Sequence, residues 1–308
     1  RDLRGTIAID GPWQPDPRLR RVYRNPTLSP ADFLPQLRVL SLDIETDPGA
    51  AALFAIGLAG LGADRVLIVG PGPLRGAECF PDERALLQRF FTLLDEIDPD
   101  ILTGWNVVDF DLTVLQRLCR THGVPFRPGR TAEKATIQRA PGFTREARAM
   151  VPGRMVLDGL ALTRGAFIRL DDYKLETAAQ TFLGKGKLMT GESRGHEIAH
   201  AFVHNRQKLV DYNQRDAELV LEILAQQRLI ELAISRSRLT GMQLDRVGAS
   251  IASIDFLYLS QLRRRGRVAP SVTEHPRAAV AGGAVLDSVP GLFTNILVFD
   301  FKSLYPSI

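Results

Sequence analysis

Val39-Leu40-Ser41-Leu42-Asp43-Ile44-Glu45-Thr46 is an apolar run that carries two acids one residue apart. A strand turns successive side chains to opposite faces, so Asp43 and Glu45 share one face while Leu42 and Ile44 point the other way, into a core. Two more apolar runs follow, at residues 53–61 and 65–69, and three successive strands is the simple reading. Asp-x-Glu alone also describes a solvated strand edge, so the pair needs company before it means chemistry.

Downstream, Asp82 can cap a helix with an apolar face of Leu86, Leu87, Phe90, Phe91, Leu94 and Ile97, stopped by Pro99. A short strand at 101–105 and a helix at about 109–122 follow, the latter ended by Gly123. Residues 127–154 are rich in Arg, Pro and Gly, which predicts an exposed basic loop or hairpin. A strand at 155–157 runs into Asp158, which can cap the next helix. Helical patterns resume at 175–183 and in one long helix at about 206–237. Strands mixed with helices predict an α/β domain over about 37–240. Residues 1–36, with six prolines, read as a linker with at most one strand near 5–9. An apolar helix at 247–262 and a terminal strand begin a second unit after Gly241.

Asn106 and Asp111 lie where a buried strand passes into a helix, and Tyr212 and Asp216 are four apart, on one helical face. Singly, each has a bland reading: Asp111 as a first-turn acid favoured by the helix dipole, Tyr212 and Asp216 as a solvated pair. Together, Asp43, Glu45, Asp111 and Asp216 are four carboxylates that strands and two helices could bring to one point. Four converging anions repel unless cations neutralise them. Oxygen-only ligands suit two Mg²⁺ or Mn²⁺ ions, which can activate water and stabilise the leaving oxygen of a phosphodiester.

Composition permits this without requiring it. The 308 residues carry 39 Lys and Arg against 35 Asp and Glu, a formal charge of +4, and a pI near 9.3, a balance that allows a polyanionic partner. The hydrophobic share of 45% excludes a disordered or fibrous chain. No apolar run approaches the roughly 18 residues that span a bilayer, so no membrane role is expected. Cys79 and Cys119 are expected as free thiols in a reducing compartment. Arg1 in place of Met, and the apolar residues so close to Ile308, lead us to expect a piece of a larger protein.

Three segments, Leu42-Asp43-Ile44-Glu45-Thr46, Asn106-Val107-Val108-Asp109-Phe110-Asp111 and Tyr212-Asn213-Gln214-Arg215-Asp216, resemble the three exonuclease motifs of the family B DNA polymerases, in order. Asp300-Phe301-Lys302-Ser303-Leu304-Tyr305-Pro306-Ser307-Ile308 resembles the first polymerase motif of the same family. Gly104-Trp105-Asn106-Val107-Val108, Leu175-Glu176-Thr177-Ala178-Ala179-Gln180 and the stretch from Gly282 to Leu292 look like its bacterial polymerase II branch.

The resemblance implies a ribonuclease H-like 3′–5′ exonuclease domain with a mixed sheet at 37–240. Around it would lie an N-terminal domain remnant and linker at 1–36, a return to that domain at 241–285 and the start of the polymerase palm at 286–308. It implies proofreading: hydrolysis of the last phosphodiester of a frayed or single-stranded 3′ end, releasing a nucleoside monophosphate. Metal ligands would be Asp43, Glu45, Asp111 and Asp216, with Tyr212 orienting the attacking water and Thr46, Phe54 and Asn106 contacting DNA. Asp300 would be one metal ligand of an incomplete palm site and Tyr305 its ribose-excluding residue, so no primer extension is expected. The basic segment 127–154 matches the place of a hairpin that helps move the primer between sites. Val280 stands where the family usually has a Tyr two residues before paired glycines, so that contact does not carry over. Implied partners are primer–template DNA and a single-stranded 3′ end, with dNTP only in a full-length enzyme and a sliding clamp through sequence beyond this chain. The implied location is the bacterial cytoplasm, at the nucleoid.

Two rivals are a catalytically silent scaffold and a plain nucleic-acid-binding module; retention of all four acids argues against silence. A third is a metallopeptidase, because His196-Glu197-Ile198-Ala199-His200 matches H-E-x-x-H. It would take His196 and His200 as zinc ligands, Glu197 as general base, and His204, Glu218 or Glu222 as third ligand. Residues 201–203 lack the glycine that the metzincin pattern requires, and a partly exposed helix face is the preferred reading.

Overall fold

The computed structural model describes residues 6–17, 19–139, 147–185, 194–271, 287 and 289–299. Residues 1–268 form one compact unit and 269–308 a second. Asp300, Tyr305, Val280 and the paired glycines lie outside the described residues, and the described part of the second unit contains no helix or strand.

The first 36 residues differ from a linker. They hold four short strands, β1 (Ile7–Asp10), β2 (Trp13–Asp16), β3 (Arg20–Tyr23) and β4 (Thr27–Pro30), paired antiparallel as β1 with β4 and β2 with β3. Prolines mask this pattern in the sequence, yet Pro15 and Pro30 sit in two-stranded ladders, where every strand is an edge and a missing donor is tolerated.

The central sheet has six strands: β5 (Val39–Thr46), β6 (Leu53–Ala59), β7 (Arg65–Val69), β8 (Ala77–Phe80), β9 (Ile101–Gly104) and β12 (Met155–Asp158). Their order is β12-β9-β5-β6-β7-β8. The β5–β6 and β6–β7 pairs are antiparallel, and the other pairs are parallel. The sheet is therefore mixed, as expected, with β5 near its centre. Between β9 and β12 the basic segment folds as a hairpin of β10 (Thr136–Arg139) and β11 (Ala147–Met150), whose tip falls outside the described residues.

Helices cover both faces. On one, α1 (Glu83–Ile97) and α2 (Thr113–Thr121) pack Leu86, Leu87, Phe90, Leu94, Leu115 and Leu118 against Leu40, Leu42 and Ile44 of β5. Full burial of a Leu or Phe side chain is worth about 1.5–3 kcal/mol, so this layer supplies much of the driving force. Asp82 caps α1 by accepting the Ala85 N–H, as its position predicts. α3 (Gly159–Gly165) follows β12 directly, and α4 (Leu175–Leu183), α5 (Arg194–His204) and α6 (Arg206–Gln226) follow in turn. α5 and α6 pack on Ala55, Val66 and Ile68 of the opposite face, and α4 packs on the second half of α6.

The long helix expected at 206–237 is two helices, α6 and α7 (Leu229–Thr240), broken at Arg228 with φ 50°. No Gly or Pro marks the break; the turn closes through the Arg228 N–H to Ala225 O, and Leu229 drops into the core beside Leu219 and Val220. α8 (Ser250–Arg264) starts three residues later than expected. Among the described residues no helix is long and apolar enough to cross a membrane, and Cys79 and Cys119 are free thiols.

Candidate metal centre and exonuclease site

The period-two reading of β5 places Asp43 and Glu45 on the face covered by α6, opposite Leu42 and Ile44. Asp216 comes to them from α6. One carboxylate oxygen from each of Asp43, Glu45 and Asp216 lies within 4.8 Å of the others. Glu45 and Asp216 are buried and Asp43 half-buried. Three converging oxygen donors suit a hard divalent cation, which would offset the like charge gathered there.

α6 can approach β5 this closely because the strand beside it lacks a side chain. Gly57 of β6 pairs with Asp43, and a Cβ there would meet the Asn213 carbonyl oxygen at 2.7 Å and its side-chain amide at 2.9 Å. Asn213, fully buried, uses the contact: its Nδ2 donates to Asp43 Oδ2 at 2.8 Å and to Asp43 O at 3.2 Å. The sequence reading missed Asn213 and Gly57. Asn213 left a signal, a polar residue three before Asp216 on the same helical face.

Asp111 reaches the other edge of the site. It is buried in a single π-helical turn, Val108–Leu112, closed by the Leu112 N–H on Val107 O at 2.8 Å; such turns are frequent at functional sites. Its Oδ1 accepts the Ile44 N–H at 3.0 Å, tying the turn to the strand between the first two acids. Burial, and then the charge of Asp43, pushes the Asp111 carboxyl well above the usual carboxylate range.

Asn106 opens the same segment with φ 65°, a left-handed conformation that Asn tolerates better than most residues. Gly104 before it is obligatory, since a Cβ would lie 2.5 Å from Leu42 O. Asp158, half-buried and facing this turn from the end of β12, caps α3 as predicted by accepting the Leu160 N–H at 2.9 Å. Burial pushes its carboxyl up, against the backbone N–H groups that draw it down.

The remaining predicted residues fall as follows. Tyr212 is fully buried one turn before Asp216, among Leu209, Val66, Ile68 and Ile198. Thr46 ends β5 beyond a bulge and donates its hydroxyl to Asp47 O at 2.9 Å. Phe54 stacks on Phe202, with ring centroids 4.0 Å apart and planes 8° from parallel, which gives it a packing role within the chain. His196, His200 and His204 are exposed on α5. Among the described residues, the group of three or more side chains placed to share an ion is the acidic trio.

Two family models match the chain: that of the DNA polymerase family B exonuclease domain over residues 64–178, and that of DNA polymerase family B over residues 245–308. The first spans Asn106, Asp111 and Asp158 and begins after Asp43 and Glu45. DNA polymerase II of Escherichia coli (strain K12) is 36% identical over 285 residues, 90% of this chain and 36% of the relative. A DNA polymerase of Thermococcus sp. (strain 9oN-7) is 28% identical over 95% of this chain and 38% of the relative. The DNA-directed DNA polymerase of Escherichia phage RB69 is 28% identical over 74% of this chain and 25% of the relative. The chain thus spans about a third of the length of the first two.

Proposed function

The chain belongs to the family B DNA polymerases, whose exonuclease and polymerase models together match more than half of it, and from that membership we propose that the acidic site is a proofreading 3′–5′ exonuclease centre. The observation that carries the reading is the convergence of Asp43, Glu45 and Asp216 within 4.8 Å, beside an Asp111 held on the Ile44 backbone. Two divalent cations, Mg²⁺ or Mn²⁺, would be held by Asp43, Glu45, Asp111 and Asp216, and when bound would supply Lewis acidity for an attacking water and for the leaving 3′ oxygen of the penultimate nucleotide.

The chain's own residues do the rest. Asn213 fixes the orientation of Asp43 through its amide. Tyr212 orients the attacking water as a hydrogen-bond partner, a role a phenol fills without ionising. Thr46 and Asn106 contact the sugar and phosphates of a frayed 3′ end, while Phe54, stacked on Phe202, supports that edge of the site from within the chain, and the β10–β11 hairpin lies along the path of the primer. The exonuclease domain is assigned to 37–240, flanked by N-terminal-domain segments at 1–36 and 241–285 and by the start of a palm at 286–308, which brings Asp300 and Tyr305. Primer–template DNA is the partner, and the bacterial cytoplasm its location.

The test is digestion of a 5′-labelled single strand and of a mismatched primer–template in Mg²⁺, Mn²⁺ and EDTA, alongside Asp43→Ala. A metal-dependent ladder shortening from the 3′ end and absent in the variant is expected; no shortening in either metal, or equal shortening by Asp43→Ala, overturns the reading.

A further inference from the structure

Asp158 does more than cap a helix. Its Oδ1 accepts the N–H groups of Leu160 at 2.9 Å and Ala161 at 3.4 Å, both in α3, and also that of Asn106 at 3.1 Å. Its Oδ2 accepts the Val108 N–H at 3.2 Å. One half-buried carboxylate therefore joins two segments about 50 residues apart in sequence, and two of its four donors belong to the turn that carries Asn106 and leads into the π-helical turn of Asp111.

That turn is otherwise expensive to hold. Asn106 is left-handed, and the five-residue π turn following it is a conformation rare in helices. The Trp105 indole N–H anchors the near side on Tyr173 O at 2.9 Å, and the Ile44 N–H anchors Asp111 at the far side. Between those anchors, the side-chain acceptor for the backbone N–H groups of residues 106 and 108 is Asp158. A buried backbone donor left without an acceptor is destabilising, so loss of the carboxylate would release the turn.

We propose that Asp158 is a positioning residue of the nuclease: by holding the Asn106 and Val108 N–H groups it fixes the turn that presents Asn106 and Asp111 to the 3′ end. The proposal rests on the exonuclease reading of the site.

Helix capping and turn positioning separate by atom. Asp158→Asn keeps one oxygen for the donors now on Oδ1 and places an amide N–H against Val108 N–H, so α3 stays capped while the turn loses a partner. Asp158→Ser caps α3, since Ser and Asn are both good N-cap residues, but is too short to serve both segments. The experiment compares the full chain with both variants by steady-state digestion of a single strand, thermal unfolding and amide hydrogen exchange. The expected result for each variant is a fall in kcat of about tenfold to a hundredfold, the scale of a 1 Å misplacement. KM should rise as well, because the turn carries the Asn106 contact to the 3′ end, and unfolding should stay cooperative with a lowered midpoint, since the Val108 N–H loses its acceptor. Exchange should accelerate at residues 106–112 while residues 160–163 stay protected. Parental kcat in Asp158→Asn, or exchange that accelerates equally in α3 and the turn, overturns the proposal. Should the parent chain digest no DNA at all, the exonuclease reading fails, and the exchange contrast alone still decides whether Asp158 holds the turn.

Discussion

Gly57 and Asn213 set the distance between strand and helix on which the acidic site depends. Gly57→Ala would drive a methyl group into the Asn213 backbone and amide, and α6 would have to move away from β5. The expected cost is about 1–3 kcal/mol, typical of overpacking, with exonuclease turnover falling further than stability because Asp216 moves with the helix; thermal unfolding and single-strand digestion measure the two. Cysteine chemistry offers a second check at this scale. Burial pushes the Cys119 thiol up to about 12, and the residue, on the core-facing side of α2, is 1% exposed. A disulfide reagent at neutral pH should therefore label the half-buried Cys79 in the folded protein, and Cys119 only once denaturant is added. Rapid labelling of both without denaturant would contradict this packing. The acids were legible only as a set, since each alone has an ordinary reading. Gly57 was not legible, since nothing local tells a glycine in a strand what backbone it admits.

The element scale shows which signals are written locally. Asp82, Glu83 and the apolar spacing from Leu86 to Leu94 define α1 without reference to anything else, and α1 forms where they say. Asp82→Ala should cost about 1 kcal/mol as a lost cap, read as a shift of the urea midpoint with unchanged slope. The α6–α7 break is written in tertiary packing, through Leu229 entering the core, and its local sequence reads as continuous helix. The N-terminal ladders β1–β4 were hidden by proline for the same reason: strand pairing decides, and pairing is non-local. Acid sensitivity belongs here too. Arg215 first, through its hydrogen bond, and then Lys185 hold the Glu222 carboxyl below its ordinary 4.5, with burial opposing. A depressed carboxylate stabilises the fold above its unfolded value, and that contribution is lost as pH falls through the folded value. Glu222→Gln should thus weaken the protein at neutral pH and make no difference well below pH 4.5, which unfolding at several pH values would check.

Across the whole unit, one buried arginine closes the end of the sheet away from the acids. The Arg154 side chain is 1% exposed and donates to Leu94 O, Pro99 O and Pro128 O as well as Asp98, linking the end of α1, the start of β9 and the loop before the hairpin. Arg154→Met should destabilise by about 3 kcal/mol, since three carbonyls and a carboxylate lose a partner while the volume is nearly kept. Thermal unfolding measures it, and a loss under about 0.5 kcal/mol, the level of an ordinary surface change, would mean that Arg154 is dispensable. The hairpin is tied down as well, by the Ala147 N–H on Asp109 and by Arg148 on Gln243 and Asp245. The domain's fold class was legible because alternating apolar runs report the sheet directly, whereas the order of its strands depends on contacts such as these.

The π turn at Val108–Leu112 has a consequence for how such a domain can change. It inserts one residue between Asn106 and α2, and a single residue of helix is about 100° of rotation. The acid is thereby set at an angle that α2 alone would not give it, while Val114, Leu115, Leu118 and Cys119 keep their own bearing on the core. Substitutions can accumulate along the buried side of α2 without turning Asp111, whereas deleting one residue from the turn would swing the acid out of register and disturb the core only where Val108 and Leu112 enter it.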